Sequence, residues 1–184
     1  HLSLRRQRQM CIRDRPDTLL TIEDQGFAYT SNLEEIDFGN SLVSLGKESF
    51  FATFSLKNLT IPDSVEEIGD YAFQYGRSLN SITIGDSVTS IGKRAFSNGN
   101  VLNKLVLGDS LREIGERAFY ACPELEVVSF PNSLRIIGAS AFEGCSKLAR
   151  ISIPDSTTYL GENAFANTAI CLLYTSDAAD EGLG

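Results

Sequence analysis

The chain has 184 residues, 42% of them hydrophobic and 22% charged, with a formal net charge of −8. That balance belongs to a folded globular chain and excludes an intrinsically disordered one. The acidic excess argues against a nucleic-acid partner, because phosphate binding draws on Lys and Arg. No apolar run reaches the roughly 18 residues needed to cross a bilayer, and the start lacks the basic-then-apolar order of an export signal.

Residues 1–15 differ in character from the rest of the chain. Arg5, Arg6, Arg8, Arg13 and Arg15 are five of the 16 basic residues, and the apolar periodicity seen downstream is missing here. With the codons ATG TGT ATA AGA GAC chosen for Met10–Asp14, the opposite strand read in a shifted frame gives Leu172-Leu173-Tyr174-Thr175. The same operation on Arg5–Gln9 gives Ser176–Asp180. The flanks can therefore be one DNA segment in inverted orientation, resembling the transposon-end adapter of sequencing libraries; chance agreement and a mobile element's terminal repeat are the rival readings. Residues 1–15 and 171–184 are expected to be adapter-derived, not native, and disordered, which makes the remainder an internal fragment.

Between the flanks the sequence repeats. Leu33, Leu56, Leu79, Leu102, Leu125 and Leu148 recur every 23 residues, as do Gly46, Gly69, Gly92, Gly115, Gly138 and Gly161. The series Phe27, Phe50, Phe73, Phe96, Phe119, Phe142 and Phe165 keeps the same interval. An unbroken period of this length predicts a solenoid. A partial repeat occupies residues 16–32, and six complete ones come after it at 33–55, 56–78, 79–101, 102–124, 125–147 and 148–170.

Within a unit, Leu59 and Ile61 alternate with Thr60, the period of a half-buried strand. Pro62-Asp63-Ser64 then marks a turn whose polar side chains can bond local backbone amides. Val65 and Ile68 point inward, Gly69 is expected to permit a tight bend, and Ala72-Phe73 to lie on a short helical or irregular turn. One unit buries too little to hold itself together, so stability must come from stacking, with the strands forming a parallel sheet along one face. Neither end shows a cap, so association or fraying is expected.

The unit L-x-x-[LI]-x-[IL]-[PG]-[DN]-S-[VL]-x-x-[IL]-G-x-x-A-F closely resembles the BspA-like class of leucine-rich repeat. Its A-F-x-x-C ending is present at Ala118–Cys122 and Ala141–Cys145. The resemblance covers residues 33–170. It implies a curved solenoid of short strands with a parallel sheet on one face, an extracellular or cell-surface location, and binding, often adhesion to proteins of a host or a neighbouring cell. It does not name the ligand.

The surface best placed to bind is the sheet face. By alternation it consists of Glu35 and Asp37, Asn58 and Thr60, Ser81 and Thr83, Lys104 and Val106, Val127 and Ser129, and Arg150 and Ser152. This stripe grades from acidic through small polar to weakly basic and apolar, which suits a protein or peptide partner. A structural spacer without a ligand is the rival reading, and polysaccharide attachment a third; the stripe lacks the aromatic side chains that sugar rings favour. The fragment's remaining partners are the neighbouring repeats of the full-length chain.

Other candidates have blander accounts. Asp63, Asp86, Asp109 and Asp155 could line an edge and invite calcium, but Asn40 and Asn132 interrupt the row and the Gly-Gly-x-Gly-x-Asp pattern is missing. Cys122 and Cys145 occupy equivalent places in adjacent units, close enough for oxidation to be conceivable, yet small buried packing residues account for them. Cys11 and Cys171 fall in the flanks, and no C-x-x-C spacing points to zinc. Asn58-Leu59-Thr60 has the form of a glycosylation acceptor on an expected strand. Tyr71, Tyr75, Tyr120 and Tyr159 are scattered over the other sides. Residues 16–170 hold no His, no phosphate loop and no nucleophile motif, so no enzyme, cofactor or metal site is expected.

Overall fold

The computed structural model describes residues 19–175, the last four as backbone only. The sequence-based expectations for residues 1–18 and 176–184 lie outside the described residues. The chain winds as a coil with one turn per 23-residue unit, and every interstrand pairing is parallel and links residues 23 apart, except the last, Arg150–Ile153 with Leu172–Thr175, where the interval is 22.

Each turn has three sides. On the first lie β3 (Asn58–Thr60), β5 (Ser81–Thr83), β7 (Lys104–Val106), β9 (Val127–Ser129) and β11 (Arg150–Ile153). Their centres are buried and their flanking residues outward, because alternation puts Leu59, Ile82, Leu105, Val128 and Ile151 inside. The second side carries β1 (Thr21–Ile22), β2 (Ser44–Leu45), β4 (Glu67–Ile68), β6 (Ser90–Ile91), β8 (Glu113–Ile114), β10 (Ile136–Ile137) and β12 (Tyr159–Leu160), hydrogen-bonded in that order as one seven-stranded sheet. This sheet is longer than the expected one and its strands are only two residues each, too short to leave an alternation signal in the sequence.

The first side differs from expectation in a second way. Instead of one six-stranded sheet it holds two sheets of three, β3-β5-β7 and β9-β11-β13, where β13 is Leu172–Thr175. The ladder stops between β7 and β9, beside Phe130, where most other units have Ile or Leu. In the first unit only an isolated bridge at Ile36 remains. Leu172–Thr175, expected to be disordered, pair in register with Arg150–Ile153. An open strand edge presents unpaired amides and carbonyls, which any extended backbone can satisfy.

The third side is the Ala-Phe turn, and no helix forms there. Two residues per unit adopt positive φ, for example Tyr71 (58°) and Tyr75 (63°), flanking Phe73. Alternation between right- and left-handed conformations turns every second amide toward the next unit: Tyr71, Phe73 and Tyr75 donate to the carbonyls of Lys93, Ala95 and Ser97. The second side runs its stacking bonds the other way, as where Gly69 N–H donates to Leu45 C=O, while the first side includes forward ones such as Ile61 N–H to Thr83 C=O. The second and third sides thus bond each unit to its neighbours throughout, and the first side adds strand pairing except between β7 and β9, which satisfies backbone that the short strands alone would leave unpaired.

The interior is one continuous apolar cluster. Phe27, Phe50, Phe73, Phe96, Phe119, Phe142 and Phe165 stack in sequence with centroids 5.0–5.4 Å apart and planes within 11°. Gly69 has an unexpected role. It is not in the left-handed region; a Cβ there would lie 2.6 Å from the carbonyl carbon of Gly46. The glycine permits close stacking on the preceding unit rather than a bend.

Candidate functional site

The outward residues of the first side are where the alternation places them. Glu35, Asp37, Asn58, Thr60, Lys104, Val106, Val127, Ser129, Arg150 and Ser152 are exposed, and Ser81 and Thr83 are half-buried. Register groups them: Asn58 lies beside Ser81 and then Lys104, and Thr60 beside Thr83 and then Val106. The Ser81 hydroxyl donates to Asn58 Oδ1 at 2.7 Å, so the glycosylation-like Asn58 is tied into the strand face. Val127 lies beside Arg150 and Ser129 beside Ser152. The break between β7 and β9 separates these two sets.

Each half carries a groove. Over β3, β5 and β7 a groove of about 700 Å³ runs along the strand ends, floored by Thr60, Thr83 and Val106 and rimmed by Asp37, Asp63 and Asp86. Over β9 and β11 a smaller one, about 430 Å³, is lined by Val127, Ser129, Phe130, Arg150, Ser152 and Pro154 among others. Arg150 is its one charged residue. Val106 and Val127 are 42% and 52% exposed, so the centre of the face is apolar.

The aspartate row has a structural task. Asp63 Oδ1 accepts the Asp86 amide at 2.9 Å, and Asp86 Oδ1 accepts the Asp109 amide at 3.2 Å. Asp24 and Asp70 serve Lys47 and Lys93 in the same manner. Asn at residues 40 and 132 carries the same kind of acceptor oxygen. No group of three or more His, Cys, Asp or Glu side chains able to hold a metal ion occurs among the described residues.

Cys122 and Cys145 are fully buried free thiols. The Cys122 thiol meets the Phe96 carbonyl at 3.5 Å and the Cys145 thiol meets that of Phe119 at 3.3 Å. Its contact with Cys145, together with burial, holds the Cys122 thiol well above the usual thiol range, so it is a packing residue rather than a nucleophile.

Two features were not anticipated. Opposite charges one unit apart pair on the surface: Lys57 with Glu34 and Lys93 with Glu116, each at 2.9 Å, and Lys147 with Glu124 at 2.6 Å. Scoring charge at 23-residue spacing would have found them. The tyrosines are also less scattered than expected, since Tyr75 packs edge-on to Phe51 at 5.5 Å and Phe51 edge-on to Tyr29 at 5.4 Å. Tyr71 lies under the Lys47 ammonium and Tyr120 under the Arg117 guanidinium. Tyr159 is exposed.

The signature of the BspA type leucine-rich repeat region, in six copies, matches residues 13–105 and 66–178. The chain belongs to this family. Solved structures of similar proteins include a leucine-rich repeat protein from T. pallidum, 28% identical with a TM-score of 0.76, matched over 80% of this chain and 69% of that one. A leucine-rich repeat protein from Eubacterium ventriosum is 28% identical with a TM-score of 0.80, over 88% of this chain and 43% of its own. A leucine rich cell surface protein from Faecalibacterium prausnitzii is 25% identical with a TM-score of 0.59, over 85% and 42%. This BspA-type array thus spans less than half of the latter two. A comparison with curated proteins finds no match.

Proposed function

We propose that this array is a non-catalytic binding module of a cell-surface or secreted protein, engaging a protein or peptide, in adhesion or a similar contact, through the outward residues of its first side. The observation that carries this reading is the contrast between the two faces of the same strands. Inward positions keep Leu, Ile and Val from unit to unit, while outward ones change from Asp37 through Thr60 and Thr83 to Val106. Packing demands constancy; recognition of an irregular partner needs variation.

Several facts support it. The face has an apolar centre with a polar rim, the common anatomy of a protein interface. It lacks aromatic side chains among the twelve outward positions, which favours a peptide over a sugar ring. The surface location rests on the name of the similar F. prausnitzii protein. Absence of His from residues 16–170 favours binding over catalysis. We read the flanks 1–15 and 171–184 as adapter-derived and foreign to this function.

Selection of peptides from a random display library on the full chain tests the reading. Enriched peptides should lose capture when Lys104→Glu and Arg150→Glu are combined and keep it with Glu162→Lys, on another side. Failure to enrich any peptide, or capture indifferent to the face substitutions, would make the array a spacer.

A further inference from the structure

Charge is unevenly placed along this face. The groove over β3, β5 and β7 is rimmed by Asp37, Asp63 and Asp86 and has neither Lys nor Arg in its lining. In the groove over β9 and β11 the sole charge is the cation Arg150. Elsewhere the coil neutralises stacked acids, as where Lys57, Lys93 and Lys147 meet Glu34, Glu116 and Glu124. The three groove aspartates form no such ion pair among the described residues.

These carboxylates are also held in place. One oxygen of each accepts a backbone amide, from Gly39 at 3.0 Å for Asp37, from Asp86 for Asp63 and from Asp109 for Asp86. The second oxygen of each is left to accept from outside. Fixed carboxylates lose little conformational entropy on binding a cation, which separates a prepared site from a solvated acidic surface. Thr60 and Thr83 add hydroxyl groups on the groove floor, and Val106 closes one end with an apolar side chain. The volume of about 700 Å³ matches a short stretch of extended peptide rather than a single ion.

We propose that this groove takes an extended peptide segment bearing Lys or Arg side chains, laid across β3, β5 and β7. The inference rests on the sheet-face reading above and narrows it to a cationic ligand. Long Lys or Arg stems reach the carboxylates while the peptide backbone lies over the threonine floor. Charge complementarity excludes acidic segments from this half and leaves the Arg150 half to a different part of the same partner.

Titration calorimetry of the full chain tests this with three probes: a twelve-residue alternating Lys-Ala peptide, the matching Glu-Ala peptide, and spermine. The Lys-Ala peptide should bind, at least tenfold tighter than the Glu-Ala one, and weaken as salt rises. Combining Asp37→Asn, Asp63→Asn and Asp86→Asn should weaken it at least tenfold; Asn keeps the amide-accepting oxygen and already stands at residues 40 and 132, so the coil stays intact. Unchanged affinity in the triple variant, or equal binding of both peptides, would overturn the proposal. Spermine binding as tightly as the Lys-Ala peptide, with the same dependence on the three aspartates, would also overturn it, as a site for any polycation. If library peptides still depend on Lys104 and Arg150 while the Lys-Ala peptide fails, the sheet-face reading stands and only the cationic inference falls.

Discussion

The ring of Phe73 lies 5.0 Å from that of Phe50 and parallel to it within 2°. A second ring, Phe96, covers its other face at 5.3 Å. Phe73 is therefore sandwiched and fully buried. Replacing it with Ala should cost about 4 kcal/mol, as for a large core residue whose cavity cannot collapse. Phe165 is only partly buried, and Phe165→Ala should cost less than half as much. Urea melts of the two variants measure the difference; equal losses would mean that the stack is not the axis of stability.

Ser49 occupies the place that Ala72, Ala95, Ala118, Ala141 and Ala164 hold in other units. It is fully buried, and its hydroxyl has no hydrogen-bond partner. Ser49→Ala should raise stability by about 1 kcal/mol, because it removes a desolvated polar group without opening a cavity. A lower melting temperature in the variant would show that the hydroxyl is satisfied after all.

Two glycines should fail for different reasons. Gly69→Ala pushes a methyl group into the Gly46 main chain, and a stacked backbone cannot retreat, so the loss should exceed about 2 kcal/mol. Gly144 has room but sits at φ 78°, and Gly144→Ala should cost only about 1–2 kcal/mol. The reciprocal change, Ala121→Gly at φ 55°, should be neutral or stabilising by up to about 1 kcal/mol. Chemical denaturation orders the three; a tolerated Gly69→Ala would contradict the close-stacking account.

The hydrogen bond from Lys93 holds the Glu116 carboxyl below its ordinary value of 4.5. A depressed carboxylate contributes stability above its unfolded pKa and loses it as pH falls through the lower folded value. Lys93 and Glu116 are 39% and 41% exposed, so the contribution should be under about 0.5 kcal/mol. Glu116→Gln should accordingly lose slightly less stability than the parent between pH 5 and 3. Parallel pH profiles would argue against the pair.

The aspartate row shows how far sequence reading reaches. Its spacing and the polar character of the turn were legible from Pro62-Asp63-Ser64 and its equivalents. That Asp63 holds the Asp86 amide of the following unit was not, because a bond across turns needs the register and the approach distance. The break beside Phe130 and the pairing of Leu172–Thr175 were hidden for the same reason.

The period by itself determined the coil, the identity of its inward residues and the set of its outward ones, since equal turn lengths force like residues to stack. The tertiary structure decided how each turn closes. Left-handed residues such as Tyr71 and Tyr75 have no sequence signature of their own; the amides they turn toward the next unit offset their strain. Likewise, the period stacks Asp63 on Asp86, but that Asp37 joins them around one groove is a property of packed neighbours rather than of any one repeat.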